Sequence, residues 1–164
     1  MTEAAIQVTD AILNTVKRVH FVGIGGSGMC PLAEILHSRG YEVTGSDVNE
    51  SDNLARIRSL QIPVYMGHRA ENVKDAQLVV YTAAVKLDNP ELAAAIGQGI
   101  PVLERPRLLG MVSRRYKTAV AVSGTHGKTT TTSMLSQILL GAGLDPTLVI
   151  GGRLPAIGSN GRAG

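Results

Sequence analysis

Short apolar runs that alternate with helical patterns constrain the fold of this 164-residue chain more than any other feature. The first unit is the apolar run VHFVG at 19–23, followed by a glycine-rich turn and a helix predicted over 29–38. Further strands are predicted at 41–47, 62–67, 77–85, 101–104, 118–124 and 146–152, and helices at 53–60 (capped by Ser51 or Asp52), 89–99, 105–115 and 128–143. Because parallel neighbours need a crossover, this alternation predicts an α/β fold whose parallel sheet carries helices on both faces. The glycine-rich tail at 151–164 is predicted to be an irregular loop.

The first turn has the spacing of a phosphate-binding loop. Residues 23–28 read GIGGSG, which matches G-x-G-x-x-G between a predicted strand and a predicted helix. Glycines let such a turn approach a diphosphate, which the amides and dipole of the helix attract. Asp47 follows at the end of the second predicted strand, where a ribose-binding acid is expected. A dinucleotide site is therefore one interpretation, and close packing of helix on strand is the other.

A second glycine loop, GTHGKTT at 124–130, also lies between an apolar run and a helix. Its glycines would let the backbone wrap phosphate oxygens, Lys128 would reach the β and γ phosphates, and Thr129 would ligate Mg²⁺. Val122 stands where the common pattern has its first glycine. The alternative is a threonine-rich helix start without a ligand.

The two loops together argue against a simple dehydrogenase, which has no use for a lysine and a threonine around a triphosphate.

The net charge of +3 comes from residues scattered along the chain, and aromatic residues make up 3% of it, so we expect no nucleic-acid partner. The single cysteine, Cys30, excludes an internal disulfide. Because the first residues are acidic and no long apolar run is present, we expect a soluble, cytoplasmic protein without a membrane partner.

Several motifs, in order and spacing, resemble the Mur ligases of bacterial peptidoglycan synthesis. They are HFVGIGGSGMCPLAEIL at 20–36, GSDVNES at 45–51, GH at 67–68, YTAAV at 81–85, NPEL at 89–92, ER at 104–105 and AVSGTHGKTTTTSML at 121–135. The likeness runs from about Val19 to the last residue. In that family the phosphate loop has the short form G-T-x-G-K, so Val122 is accommodated.

This resemblance implies a three-domain enzyme, of which residues 1–116 would be the Rossmann-like UDP-sugar domain and 117–164 the incomplete start of a P-loop ATPase domain. The implied reaction uses ATP and Mg²⁺ to convert the carboxylate of UDP-N-acetylmuramate to an acyl phosphate, which the amine of L-alanine attacks. The L-alanine site and further Mg²⁺ ligands would lie outside this chain. We therefore expect it to bind the UDP-sugar without ligating.

The resemblance also assigns residues to each ligand. ATP is assigned to Gly124, Thr125, His126, Gly127, Lys128, Thr129 and Thr130, with Lys128 as the catalytic cation and Thr129 as the Mg²⁺ ligand. The UDP-sugar is assigned to Gly25, Gly26, Ser27, Gly28, Met29, Ser46, Asp47, Ser51, His68, Thr82 and Arg105. Taken alone, His68 is better explained as a solvent-exposed or hydrogen-bonded loop histidine than as a ligand contact.

Three other functions remain open at this level. A ligase of the same family could join the same UDP-sugar to a tripeptide. The loop at 23–28 with Asp47 also fits an NAD-binding oxidoreductase or sensor domain. A non-catalytic relative that binds a nucleotide and a protein partner is the third.

Overall fold

The computed structural model describes residues 9–86 and 88–164. The helices are α1 (Ile12–Thr15), α2 (Cys30–Ser38), α3 (Asp52–Ser59), α4 (Pro90–Gly97), α5 (Arg105–Ser113) and α6 (Lys128–Gly141). The strands are β1 (Arg18–Val22), β2 (Glu42–Asp47), β3 (Val64–Met66), β4 (Leu78–Tyr81), β5 (Val102–Glu104), β6 (Leu148–Leu154) and β7 (Ser159–Arg162). Short 3₁₀ helices lie at Ala70–Val73 and Pro155–Ile157. None of the helices in the described residues is long and apolar enough to cross a membrane.

The first five strands form one parallel sheet in the order β3-β2-β1-β4-β5. The chain moves outward from β1 to β3 and then returns to the other side of β1 for β4 and β5. Val22 at the end of β1 lies beside Ser46 of β2 and Tyr81 of β4, so the three strands end together. In open α/β sheets, the crevice where the strand order reverses is where ligands bind.

Alternate residues of the strands pack into two separate hydrophobic cores, one on each face of the sheet. Phe21 of β1 packs with Leu32 of α2 and Ile57 of α3 in a cluster that extends to α5. The next residue, Val22, packs on the opposite face with Leu92 of α4. This alternation follows from the two-residue period of a strand, and it confirms the prediction of helices on both faces.

Side-chain caps set where two of the helices begin. Ser51 accepts a hydrogen bond from the amide of Leu54 (3.2 Å) and caps α3, as predicted. Asn89 accepts from the amide of Glu91 (2.9 Å) at the start of α4, where Pro90 occupies the first turn. Both caps satisfy amides that have no partner inside the helix, and both helices start beside the carboxyl end of the sheet.

The prediction of a strand at 118–124 was wrong. Residues 114–127 connect α5 to α6 without a helix or strand, and Val120 is 69% exposed. A strand requires a neighbour for its hydrogen bonds, and within the described residues no strand pairs with this segment. An apolar run by itself therefore did not specify a strand here.

The prediction of an irregular tail was also wrong. β6 continues to Leu154, and β7 pairs with it in antiparallel register, with Leu148 opposite Arg162. Gly158 takes a φ of +64° where the chain reverses, a backbone that glycine adopts without steric cost. This hairpin departs from the expected all-parallel arrangement because its two strands are joined by a short turn rather than a crossover.

The hairpin connects the two parts of the chain. Nδ2 of Asn160 donates a hydrogen bond to the carbonyl of Ser27 in the first glycine loop. The hydroxyl of Tyr116 donates to Oγ1 of Thr147 (2.8 Å), just before β6. A Cβ at Gly151 of β6 would lie 3.0 Å from Oγ1 of Thr129 in the second glycine loop, so the hairpin lies beside both loops.

Candidate functional site

The turn between β1 and α2 is held against the sheet by backbone hydrogen bonds. The amides of Gly23 and Ile24 donate to the carbonyl of Ser46 at the end of β2 (2.8 and 3.0 Å). Within the turn, the amide of Gly26 donates to the carbonyl of Gly23 (3.1 Å), and that of Met29 donates to Gly26 (2.9 Å). The Met29 side chain is buried in the core. The turn is thus a fixed part of the sheet's carboxyl edge.

Two backbone amides of this loop can donate hydrogen bonds to a ligand. In the part of the chain that the structure describes, no hydrogen bond occupies the amides of Ser27 and Gly28, and both precede α2. Amides at a helix N-terminus favour anions. Gly28 also permits the approach of Arg105, since a Cβ at residue 28 would lie 3.0 Å from Cδ and Nη1 of that side chain. An anion here would meet amides and a guanidinium together.

Asp47 ties the same loop to β2. Its Oδ2 accepts from the amide of Gly25 (2.9 Å), and its Oδ1 accepts from the amides of Val48 (2.8 Å) and Asn49 (3.2 Å). The carboxylate is therefore engaged by three backbone donors. It takes the Gly25 amide away from any phosphate, and its role is to shape the loop.

A cavity of about 700 Å³ lies at the carboxyl edge of the sheet, between the ends of β1, β2 and β4. We call it the sheet-edge cavity. Its lining includes Gly25, Gly26, Asp47, Ser51, His68, Thr82 and Lys86. Six of these residues were predicted from the sequence as ligand-binding, and the topology brings them together from four separate segments of the chain.

Below this cavity, Glu91 is fully buried (0% exposed) and forms a polar network that was not predicted from the sequence. Its carboxylate accepts hydrogen bonds from Oγ of Ser46 (2.7 Å), Nδ1 of His68 (2.7 Å) and Nδ2 of Asn72 (2.6 Å). Burial by itself would raise the pKa of Glu91, but His20 and the hydrogen bonds from Ser46 and Asn72 outweigh it and hold the pKa below its usual value. The carboxylate is therefore charged at neutral pH.

His20 completes the network from β1. Its Nδ1 lies 2.8 Å from Oγ1 of Thr44. Its Nε2 lies 3.4 Å from Oε1 of Glu91, within ion-pair distance but too poorly aligned for a hydrogen bond. The only sequence signal for Glu91 was its place after Asn-Pro, where an acid is already explained by the helix dipole. Nothing in that pattern indicated burial.

The second glycine loop leads directly into α6. Gly127 caps this helix with a φ of +78°, which favours glycine. Nζ of Lys128 donates to the carbonyls of Gly124 (2.5 Å) and Thr125 (3.2 Å), so the side chain folds over its own loop. Gly124, Thr125, His126, Gly127 and Thr130 are all exposed on this loop.

Both glycine loops line a second cavity of about 500 Å³, which we call the inter-loop cavity. Its lining includes Ser27, Gly28, Met29, Thr82, Arg105, Lys128 and Thr129. Two cationic side chains, one from each part of the chain, thus reach one cavity. Positive charge in a partly enclosed space favours the binding of anionic ligands.

Thr129 is the residue of this cavity that suits a hard cation. Its side chain lies against β6, since a Cβ at Gly151 would be 3.0 Å from Oγ1 of Thr129. Among the described residues, no group of three or more His, Cys, Asp or Glu side chains could hold a metal ion. Mg²⁺ here would depend on the Thr129 hydroxyl, on phosphate oxygens and on water, a ligand set that this ion accepts.

Comparison with known proteins assigns the family. The model described as "Mur ligase family, catalytic domain" matches residues 18–117, more than half of the chain. The chain belongs to the Mur ligase family. This Mur ligase chain is 58% identical to a UDP-N-acetylmuramate–L-alanine ligase of Acetivibrio thermocellus over 151 residues, 92% of the chain and 32% of that relative. A Legionella pneumophila (strain Corby) relative of the same name is 51% identical over 152 residues, 93% of the chain and 32% of the relative.

Solved structures agree with this assignment. The Mur ligase chain matches UDP-N-acetylmuramate-alanine ligase from Thermotoga maritima with a TM-score of 0.84 and 38% identity, over 90% of the chain and 35% of that structure. It matches a UDP-N-acetylmuramate:L-alanyl-gamma-D-glutamyl-meso-diaminopimelate ligase from Neisseria with a TM-score of 0.81 and 34% identity, over 90% and 47%. The predicted Rossmann-like α/β fold is confirmed. The chain spans about a third of the length of the curated relatives that it matches.

Proposed function

We propose that this chain is the UDP-sugar-binding part, with the start of the ATP-binding part, of an ATP-dependent ligase that joins L-alanine to UDP-N-acetylmuramate. The observation that carries the proposal is the inter-loop cavity, where Arg105 and Lys128 face one space. The names of the curated relatives support this substrate pair. We place the domain boundary between residues 116 and 117, in the segment that connects α5 to α6.

In this proposal the first loop holds the diphosphate of the UDP-sugar. The amides of Ser27 and Gly28 donate to its oxygens, and Arg105 supplies a charge-assisted hydrogen bond. The uridine occupies the sheet-edge cavity, where His68 and Thr82 lie. The muramate carboxylate then extends into the inter-loop cavity, because Gly26 and Thr82 line both cavities.

The second loop holds the triphosphate. Lys128 exchanges the carbonyls of Gly124 and Thr125 for phosphate oxygens. The Thr129 hydroxyl would hold Mg²⁺, which would offset the negative charge of the phosphates. A carboxylate oxygen forms a bond to the γ-phosphorus as the bond to the bridging oxygen of ADP breaks. The amine of L-alanine then attacks the carbonyl carbon of the acyl phosphate, and phosphate leaves as the amide forms.

Calorimetric titration of the 164-residue chain with UDP-N-acetylmuramate, NADH and ATP tests the proposal. We expect heat from UDP-N-acetylmuramate and none from NADH. Heat from NADH alone would instead support the oxidoreductase interpretation. Adding all three substrates of the ligase should release no phosphate, because we place the L-alanine site outside this chain.

A second candidate is ligation of the same UDP-sugar to a peptide. The likeness to the Neisseria peptide ligase favours it, since the TM-score of 0.81 is close to the 0.84 of the alanine ligase. The parent protein separates the two candidates by its acceptor. Phosphate release that depends on L-alanine supports the first, and release that depends on the tripeptide supports the second.

A further inference from the structure

His68 connects a buried carboxylate with the sheet-edge cavity. Its side chain is 19% exposed, whereas that of Glu91 is 0% exposed. Its Nδ1 lies 2.7 Å from Oε2 of Glu91 and 3.1 Å from Oγ of Ser46. The ring is therefore anchored by one nitrogen, and the rest of it borders the cavity.

Counting donors and acceptors assigns the proton on that nitrogen. The Glu91 carboxylate is ionised and can only accept hydrogen bonds. The single hydroxyl proton of Ser46 goes to Oε2 of Glu91 (2.7 Å). Nδ1 of His68 must then carry a proton of its own, which it donates to Glu91. In a neutral ring this leaves Nε2 as a hydrogen-bond acceptor.

We propose that Glu91 is a positioning residue that keeps His68 in its Nδ1–H form, so that Nε2 accepts a hydrogen bond from a donor group of the bound uridine. This inference rests on the proposed function, because it takes a uridine nucleotide as the occupant of the sheet-edge cavity. The imide N–H of uracil and the ribose hydroxyls are the donors that such an acceptor would recognise. Glu91 itself, buried below, touches no ligand.

The ring nitrogens of His68 provide the first test, without any ligand. Long-range ¹H–¹⁵N spectra at about pH 8, above the ordinary pKa of histidine, distinguish protonated from unprotonated nitrogens, and His68→Gln identifies the His68 signals. We expect Nδ1 protonated and Nε2 unprotonated in the unaltered chain. In Glu91→Gln the proton should move toward Nε2. A wild-type ring protonated at Nε2, or no change in Glu91→Gln, overturns the proposal.

Asn72→Ala is the matched control. It removes a hydrogen bond to Oε1 of Glu91, the oxygen that His68 does not use (Asn72 Nδ2 to Oε1, 2.6 Å). We expect its His68 signals to match those of the unaltered chain. Since the wild-type spectrum alone can contradict the assignment, the test survives even if Glu91→Gln does not fold.

Titration with UDP provides the second test. Glu91→Gln should weaken UDP binding roughly tenfold, as expected for one lost hydrogen bond to a polar group. If Glu91 acts through His68, the double variant with His68→Gln should lose no more affinity than His68→Gln alone. Additive losses contradict the positioning role.

The two proposals fail in different ways. A chain that binds neither UDP nor UDP-N-acetylmuramate contradicts the proposed function. A chain that binds both, but equally well with Glu91→Gln, contradicts only the role of Glu91.

Discussion

At the scale of single residues, the carboxylates near the cavity do different work according to their partners. Asp47 accepts from three backbone amides and shapes the first loop. Glu91 accepts from side chains and organises His68. Asp88 is exposed on the same cavity. The sequence shows three acidic residues, and only their surroundings separate a loop anchor, a buried network and a rim charge.

Replacing Asp47 by Ala should destabilise the chain by about 1–3 kcal/mol, because backbone donors lose their acceptor. It should also weaken UDP-N-acetylmuramate binding, since the loop is no longer held at β2. Urea unfolding and calorimetric titration measure the two effects. Asp88→Ala removes a carboxylate from the same cavity without releasing the loop, and equal losses in both variants would contradict a specific role for Asp47.

The lowered pKa of Glu91 makes a pH-dependent contribution to folding. Its pKa is lower in the folded than in the unfolded chain, so the unfolded state binds more protons and stability rises with pH. The contribution is complete above the ordinary value of 4.5 and is lost as pH falls through the lower folded value. Urea unfolding of the unaltered chain and of Glu91→Gln should therefore converge in acid. A difference that is constant from about pH 3 to pH 7 would contradict this.

At the scale of elements, α2 and α3 are joined by a partly buried ion pair. Arg56 of α3 donates from Nε (2.6 Å) and Nη2 (2.9 Å) to the two oxygens of Glu34 in α2. Glu34 is 6% exposed and Arg56 35% exposed. Beside this pair, burial and then the Glu34 charge raise the pKa of the Cys30 thiol to about 12. Cys30 is thus a packed core residue of α2.

Arg56 and Arg58 provide a matched comparison on one helix. Arg56→Ala should destabilise the chain by about 2–3 kcal/mol, because the buried Glu34 carboxylate is left without its partner. Arg58 makes the same two-bond contact with Glu50 (2.6 and 2.9 Å), but both side chains are exposed. Arg58→Ala should therefore change stability little. Denaturant unfolding of both variants tests whether the loss of stability depends on the burial of the ion pair or only on its presence.

At the scale of the whole molecule, the hairpin β6–β7 determines how the two glycine loops meet. It contacts the first loop through Asn160 and packs beside Thr129 at the start of α6. Neither loop alone forms the inter-loop cavity. A ligand pair that must exchange a phosphoryl group requires this proximity, which is why the proposed function rests on the tertiary arrangement.

Variants of the two cations should separate the two ligands. Lys128→Met should abolish the heat of ATP binding, while UDP-N-acetylmuramate binding stays unchanged, because the proposed function assigns the triphosphate to the second loop alone. Arg105→Met should weaken UDP-N-acetylmuramate binding about tenfold, as expected for the loss of one charge-assisted hydrogen bond. ATP binding should stay unchanged in this variant. Calorimetry of both variants with both ligands provides the mutual control. Equal effects of either variant on both ligands would contradict separate sites.

Local patterns were sufficient for much of the fold. Strand β1, helix α2 and the Ser51 cap of α3 depend on periodicity and backbone geometry within a few neighbouring residues. The prediction of a strand at 118–124 was wrong because strand formation also depends on residues distant in the sequence. A strand is completed only by a neighbour, and an apolar run carries no information on whether one lies beside it.

The sequence by itself determined the α/β order and the two glycine loops, because alternation and loop spacing are local properties. Only the tertiary structure decided that Glu91 is buried against Ser46, 45 positions away, and that it holds His68 at the sheet-edge cavity. It also decided that Arg105 and Lys128 share one cavity. Charge and burial at such sites depend on which distant segments meet, since a carboxylate stays buried and ionised only where enough donors converge on it.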